Sequence, residues 1–270
     1  MNPPMEQVTA NVFANTQIRG CNPSYVVTTD GVVVVDTPQL PTRAVAMREE
    51  AEQHGPIRYV INTEHHVDHI FGNYYFKPIP VVHHKGVADN FMTMAPILDP
   101  FAYAEEAIPT DDPEGAAIFP DRDEYYKDPN DGSIVFTGDL RLEVGDTTFN
   151  LIHVAGHTPG QICVHVPSEG VVFTGDTIFN QCQTWLMTSD VDGWLAALET
   201  IRALDYYHLV PGHGPFTDRS SLDDQRAILI EWKYSVAAAV AEGQSRQETQ
   251  EKVNLKDRFP VEIRQENKMD

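Results

Sequence analysis

Basic residues are scarce in this chain: 19 Lys and Arg stand against 40 Asp and Glu over 270 residues, a formal charge of -21. That surplus repels phosphate backbones and argues against a nucleic-acid partner. Cysteine is scarce too. Cys21, Cys163 and Cys182 are too few and too widely spaced for a disulfide framework or an all-cysteine metal site, so a reducing, cytoplasmic setting is expected. No apolar run approaches the roughly 18 to 20 residues that cross a bilayer, which excludes a spanning helix. The start, Met1 to Gln7, has neither a basic region nor an apolar stretch behind it and reads as no signal peptide. Low-complexity tracts and repeats of solenoid length are missing. At 41% hydrophobic, with 22% charged residues, the composition is that of a globular protein, expected as one domain over 1–270, and an enzyme is the starting expectation.

What is present is an alternation of strand and helix signals. Tyr25 to Thr28 and Val32 to Val35 read as strands joined at Asp30-Gly31. Pro41 to His54 reads as a helix with proline in its first turn, stopped by Gly55-Pro56. Ile57 to Asn62 reads as a strand running into Thr63-Glu64-His65-His66-Val67-Asp68-His69, and Ile79 to Val82 as a strand ending in His83-His84. Arg141 to Val154 forms a hairpin about Gly145-Asp146, running on to Gly156-His157-Thr158-Pro159-Gly160. Ile162 to Val166 and Val171 to Thr174 form a hairpin ending at Gly175-Asp176. Asp192 to Leu204 and Leu222 to Ala241 read as helices, with a short strand, Leu209-Val210, before Pro211-Gly212-His213-Gly214. Four strands therefore stop at a turn carrying His or Asp, the place where layered α/β proteins aim functional side chains.

Residues 89–131 differ. They open with a short helix holding Phe91, Met92 and Met94, then turn rich in Pro, Asp and aromatics. So long a connection is usually functional, and its aromatic content predicts an ordered flap. The polar segment 244–270 reads as an arm, a partner-packing helix or a tail.

The densest chemistry is the run from Glu64 to His69. In an extended segment alternate residues point one way, so Glu64, His66 and Asp68 can converge while His65 and Val67 face elsewhere, and His69 adds a nitrogen as the chain turns. Imidazoles and carboxylates at this density repel or demand costly burial unless a cation organises them. Outside it, His83, His84, His153, His165 and His208 read as surface or satisfied histidines. Cys163 reads as core, Cys182 as core or pocket-lining, and Trp185 to Met187 as core or a pocket wall.

The run resembles the metal-binding signature of the metallo-β-lactamase fold superfamily, usually Thr-His-X-His-X-Asp-His. Gly156-His157-Thr158-Pro159-Gly160, Thr174-Gly175-Asp176-Thr177 and Pro211-Gly212-His213-Gly214 resemble its remaining motifs, in order. Val33-Val34-Val35-Asp36-Thr37 resembles its early strand-plus-Asp element. The matches span about residues 25 to 215. The resemblance implies an α/β fold, a four-layer αββα sandwich with the site along one edge of its two sheets. It also implies two divalent metals, zinc expected. Glu64, His66 and His157 would hold the first and Asp68, His69 and His213 the second, with Asp176 between them and Asp36 supporting the ligand loop through hydrogen bonds.

Glu64 departs from the pattern, standing where a histidine belongs. Three arrangements are open: Glu64 ligates, Glu64 misses and leaves a weak first site, or His65 rotates in. Two histidines with one carboxylate suit zinc and also non-haem iron, and the harder donor favours iron or manganese more than histidine would. The expected activity is hydrolysis of a small organic ester, lactone or amide, hydrophobic or aromatic, by a hydroxide held between the metals, with Asp68 orienting it and accepting its proton. A non-haem iron oxygenase on the same fold and a catalytically inactive metal-binding protein are the alternatives.

Overall fold

The computed structural model describes residues 3–93 and 99–253. Two sheets form the centre. The first runs β1 (Glu6–Gln7), β2 (Val12–Ala14), β3 (Ser24–Thr28), β4 (Gly31–Val35), β5 (Ile57–Ile61), β6 (Val81–His84) and β7 (Ile134–Phe136), in that spatial order. Its first four strands are antiparallel and the pairings from β4 to β7 are parallel. The second comprises β8 (Leu140–Val144), β9 (Thr147–His153), β10 (Ile162–Val166), β11 (Val171–Phe173) and β12 (His208–Val210), in the order β12-β11-β10-β9-β8. It is antiparallel except where β12 joins β11.

The helices are α1 (Pro41–Glu52), α2 (Val67–Ile70), α3 (Lys85–Asn90), α4 (Pro100–Asp111), α5 (Arg122–Lys127), α6 (Val191–Arg202), α7 (Ser220–Ala241) and α8 (Arg246–Lys252). Strand alternation sorts the apolar side chains into three layers of contact. Val26, Val33, Val35, Ile61 and Val82 meet Phe149, Leu151, Ile162, Val164 and Phe173 between the sheets. Tyr25, Val32, Val34, Val60 and Val81 face the other way, onto Ala44, Met47 and Ala51 of α1. Cys163, Val172 and Leu209 face Trp194, Leu198 and Ile201 of α6 and Leu222 and Leu229 of α7. The expected four-layer αββα sandwich is the observed architecture. Covering both faces explains why β4 is an unbroken run of valines and not an alternating pattern.

Differences from the sequence reading have local causes. The strand expected over Ile79 to Val82 starts at Val81, because Pro80 has no N–H to donate to a ladder, and it runs on through both His83 and His84. The helix expected at Phe91 and Met92 lies earlier, over Lys85–Asn90, and Met92 adopts φ 52°, a backbone through which an α-helix does not continue. Met94 lies outside the described residues, as do residues 254–270 of the polar C-terminal segment. β1, β2 and β7 were not anticipated; they are two or three residues long and carry too few positions for a period to show.

The segment after residue 99 is helical and packs onto the core. Phe71, directly after α2, lies between Tyr125 (ring centroids 4.6 Å, 7° between planes) and Phe119 (5.3 Å, 16°). Val67, Ile70, Phe101, Tyr103 and Ala104 belong to the same cluster, and Trp185 packs against it. Asp112 fastens the segment to α1. Leu40 gives that helix no side-chain cap, and Asp112 accepts instead from the Thr42 amide (2.8 Å) and hydroxyl (2.6 Å).

Candidate metal centre

The ends of β4, β5, β9, β11 and β12 lead to Asp36, Glu64, His157, Asp176 and His213, all on one edge of the sandwich. Between β5 and α2 the chain bends at Thr63 and again at His66, whose extended backbone (φ -65°, ψ 150°) directly precedes the start of α2 at Val67. Glu64 and His66 come together there, and His65 does not join them. Asp68 reaches the site from the first turn of a helix, not from the extended run, and so joins a different set of neighbours.

Two groups of donors carry the seven expected residues, the atoms of each lying within 4.8 Å of one another: Glu64, His66, His157 and Asp176, and Asp68, His69 and His213; a third, Cys21, Asp36 and His69, overlaps the second at His69. In the first, Glu64 Oε1 is 2.9 Å from His66 Nδ1 and 3.7 Å from His157 Nε2, with Asp176 Oδ2 3.3 Å from His157 Nε2. In the second, His213 Nε2 is 3.3 Å from both Asp68 Oδ2 and Asp176 Oδ1. Asp176 Oδ1 is also 3.0 Å from His69 Nε2, so the two carboxylate oxygens of Asp176 face different groups. All seven expected residues meet here, and His65 is in neither group.

The electrostatics follow from burial. Glu64, His69 and His157 are fully buried. Burial pushes the Glu64 carboxyl up, but the fields of His66 and His69 and hydrogen bonds from His157 and His66 hold it well below the usual range. Burial opposes charge on His69 as well, yet Asp176, Cys21, Asp36 and Asp68 together raise it well above an ordinary imidazole. Asp176 is strongly lowered, against its burial, chiefly by His213 and His69. His65 goes the opposite way to His69: burial pushes its imidazole down to about 4.

The donors fit a divalent cation. His69 Nδ1 lies 2.9 Å from Asp36 Oδ2, and with its hydrogen given to that carboxylate its Nε2 carries a lone pair. That buried Nε2 and the buried Asp176 Oδ1 make no hydrogen bond, although they are 3.0 Å apart. A cation shared by these two atoms would take the place of the proton that the surrounding carboxylates favour on His69, and zinc bonded at ~2.1 Å to each of four ligands would space them about 3.4 Å apart. Asp36 also accepts from the Thr63 amide (2.7 Å) and hydroxyl (2.6 Å), tying the start of the ligand loop to the same carboxylate. The expected supporting role of Asp36 is thus visible as three contacts.

Other expectations resolve individually. Cys163 and Cys182 both lie in the cluster under α6 and α7, Trp185 and Leu186 pack against that cluster, and His165 Nε2 reaches the Asp205 carbonyl at 2.8 Å. His153 Nε2 reaches the Pro159 carbonyl at 2.9 Å, while its ring stacks on His84 at 3.9 Å. His83 is fully buried, not at the surface, with neither ring nitrogen hydrogen-bonded.

Several supporting residues escaped the sequence reading. Phe179 lies parallel to His213 (5.2 Å, 2°), and Trp194 meets His157 edge-on at 5.0 Å. Asn62 Nδ2 and the Thr37 amide both donate to the His69 carbonyl. Thr188 lies 3.2 Å from His66 Nε2. The Asp36 motif flags Thr37 by adjacency; Thr188 sits in a loop with no motif, and nothing in sequence marks it.

A model of the metallo-beta-lactamase superfamily matches residues 17–213. Hydroxyacylglutathione hydrolase of Maricaulis maris is 27% identical over 146 residues, 54% of this chain and 42% of that protein. Human acyl-coenzyme A thioesterase MBLAC2 is 28% identical over 162 residues, 57% of this chain and 54% of that one. The chain thus spans about half the length of these curated relatives. Among solved structures, a metallo-beta-lactamase from Pontibacter korlensis superposes with a TM-score of 0.64 at 17% identity, covering 84% of this chain and 98% of that one. The inverting sec-alkylsulfatase from Pseudomonas sp. superposes at 0.69 with 15% identity, covering 97% and 46%. At those identities the likeness is one of fold.

Proposed function

The chain belongs to the metallo-beta-lactamase superfamily, and from that premise we propose that it is a metal-dependent hydrolase of small-molecule thioesters with a dinuclear site. The observation that carries the reading is the convergence of seven buried or nearly buried donors into two groups that share Asp176. Glu64, His66 and His157 would hold one cation and Asp68, His69 and His213 the other, with Asp176 placed to serve either. Bound there, divalent cations supply a Lewis acid for the acyl carbonyl and lower the pKa of water towards neutrality.

The chain's own groups do the rest. Asp68 has a side chain 15% exposed, against 0% for Glu64 and 4% for Asp176, so it is the carboxylate nearest solvent. It orients the attacking water and accepts its proton. Water oxygen bonds to the acyl carbon, the carbon–sulfur bond breaks, and the sulfur leaves as thiolate or thiol. A thiolate leaves without full protonation, so no dedicated acid is required of the chain. The thioester class is supported by the names of the two curated relatives, and either a glutathione or a coenzyme A thioester fits the site's chemistry. The oxygenase reading has Glu64 as its support, because two histidines with carboxylates also suit non-haem iron.

The test is release of free thiol from a panel of S-acyl-glutathiones and acyl-coenzyme A esters. The expected result is turnover that is lost on chelation and restored by added zinc, iron or manganese, and that falls about 100-fold or more in Asp68→Asn. Equal turnover after exhaustive chelation would overturn the metal dependence, and a panel left uncleaved by metal-loaded protein would overturn the thioester assignment.

A further inference from the structure

Thr188 stands in the loop between Asp176 and α6, remote in sequence from every motif of the site. Its hydroxyl is 3.2 Å from His66 Nε2 and 3.2 Å from the backbone carbonyl of His157. A carbonyl only accepts, so the single hydroxyl hydrogen goes to His157 O. The hydroxyl oxygen is left with lone pairs alone, and it can meet His66 only by accepting from Nε2–H. We infer that Thr188 is a positioning residue: it fixes His66 as the Nε2–H tautomer, leaves Nδ1 as the donor atom of the first group, and clamps His66 to the His157 backbone.

The geometry on the other side of the ring agrees. His66 Nδ1 is the nitrogen turned to Glu64 Oε1 (2.9 Å) and His157 Nε2 (3.1 Å), the atoms with which it would share a cation. The other tautomer would place a hydrogen on Nδ1, where Glu64 would capture it and take both residues out of coordination. Glu64 makes this competition sharper than a histidine at position 64 would, because a carboxylate is a strong acceptor for that hydrogen. An outer partner that holds the hydrogen on the far nitrogen therefore matters more here, and its loss should weaken metal affinity by about 10- to 100-fold. The inference rests on the proposed metal site.

The experiment compares wild type, Thr188→Val and Thr188→Ser. Valine keeps the volume and the β-branch and removes the hydroxyl; serine keeps the hydroxyl. Metal-free proteins are titrated with cobalt(II), followed by d–d absorption and by competition with a chelator, alongside thermal unfolding without metal. The expected result is that Thr188→Val loses affinity about 10- to 100-fold for one of two cobalt ions while unfolding as wild type does, and that Thr188→Ser binds as wild type does. Unchanged affinity for both ions in Thr188→Val would overturn the role of Thr188 and leave the hydrolase standing. Wild type that binds no cobalt at all would overturn both.

Discussion

The Asp36 carboxylate and the His69 imidazole are 2.9 Å apart, and Asp36 holds a left-handed backbone (φ 56°) at the end of β4 to reach it. Such a conformation is uncommon for aspartate, though less costly than for most residues. Asn tolerates that backbone equally well, so Asp36→Asn removes the charge and leaves the fold undisturbed. The variant is expected to bind the second cation about 10- to 100-fold more weakly, since the amide no longer favours His69 as the Nδ1–H tautomer. Chelator competition measures it; affinity equal to wild type would show that Asp36 does not orient His69.

The ring of Phe71 connects the helical segment after residue 99 to the helix carrying Asp68 and His69. Phe71→Ala removes a fully buried ring stacked between Tyr125 and Phe119 and is expected to cost about 3 to 5 kcal/mol. Because α2 loses its packing at the same point, weaker metal binding should accompany the loss. Urea unfolding and metal titration on the same samples check both, and a stability loss with unaltered metal affinity would separate the segment from the site.

His83 predicts a pH effect away from the metal centre. Burial pushes its imidazole down to about 4, with Asp131 pulling the other way and neighbouring His84 adding to the fall. The folded protein thus keeps His83 neutral, while an unfolded imidazole takes up a proton near pH 6.5. The contribution is complete above pH 6.5 and is lost as pH falls from there to 4, up to about 1.4 kcal/mol for each pH unit. His83→Leu should lose less stability than wild type between pH 7 and pH 5. Equal losses by urea unfolding at the two pH values would mean that His83 already carries its proton in the fold.

The motifs made much of this architecture legible. Val33 to Asp36, Thr63 to His69, His157, Asp176 and His213 are short-range patterns at strand ends, and a strand end constrains where a side chain points. The layers were legible for the same reason, since runs such as Val32 to Val35 need cover on both faces. What escaped was set by contacts distant in sequence. Phe71 gains its role from Tyr125 and Phe119, Asp112 from Thr42, and Thr188 from His66, none of which a local period encodes. Alternation alone groups Asp68 with Glu64 and His66, whereas the family resemblance assigns it to the second set with His69 and His213; the helix that begins at Val67 accounts for the second grouping. In the long aromatic connection the helices α4 and α5 were not legible: Pro109 and the scattered acids obscure any helical period there.

Elemental analysis of protein purified without added metal or chelator tests the central claim most directly. The account predicts about two divalent cations per chain, zinc or iron among them, falling to about one or fewer in Asp176→Ala because both groups draw on that carboxylate. Protein that carries none, and still binds none when equilibrated with excess zinc or iron, would contradict it.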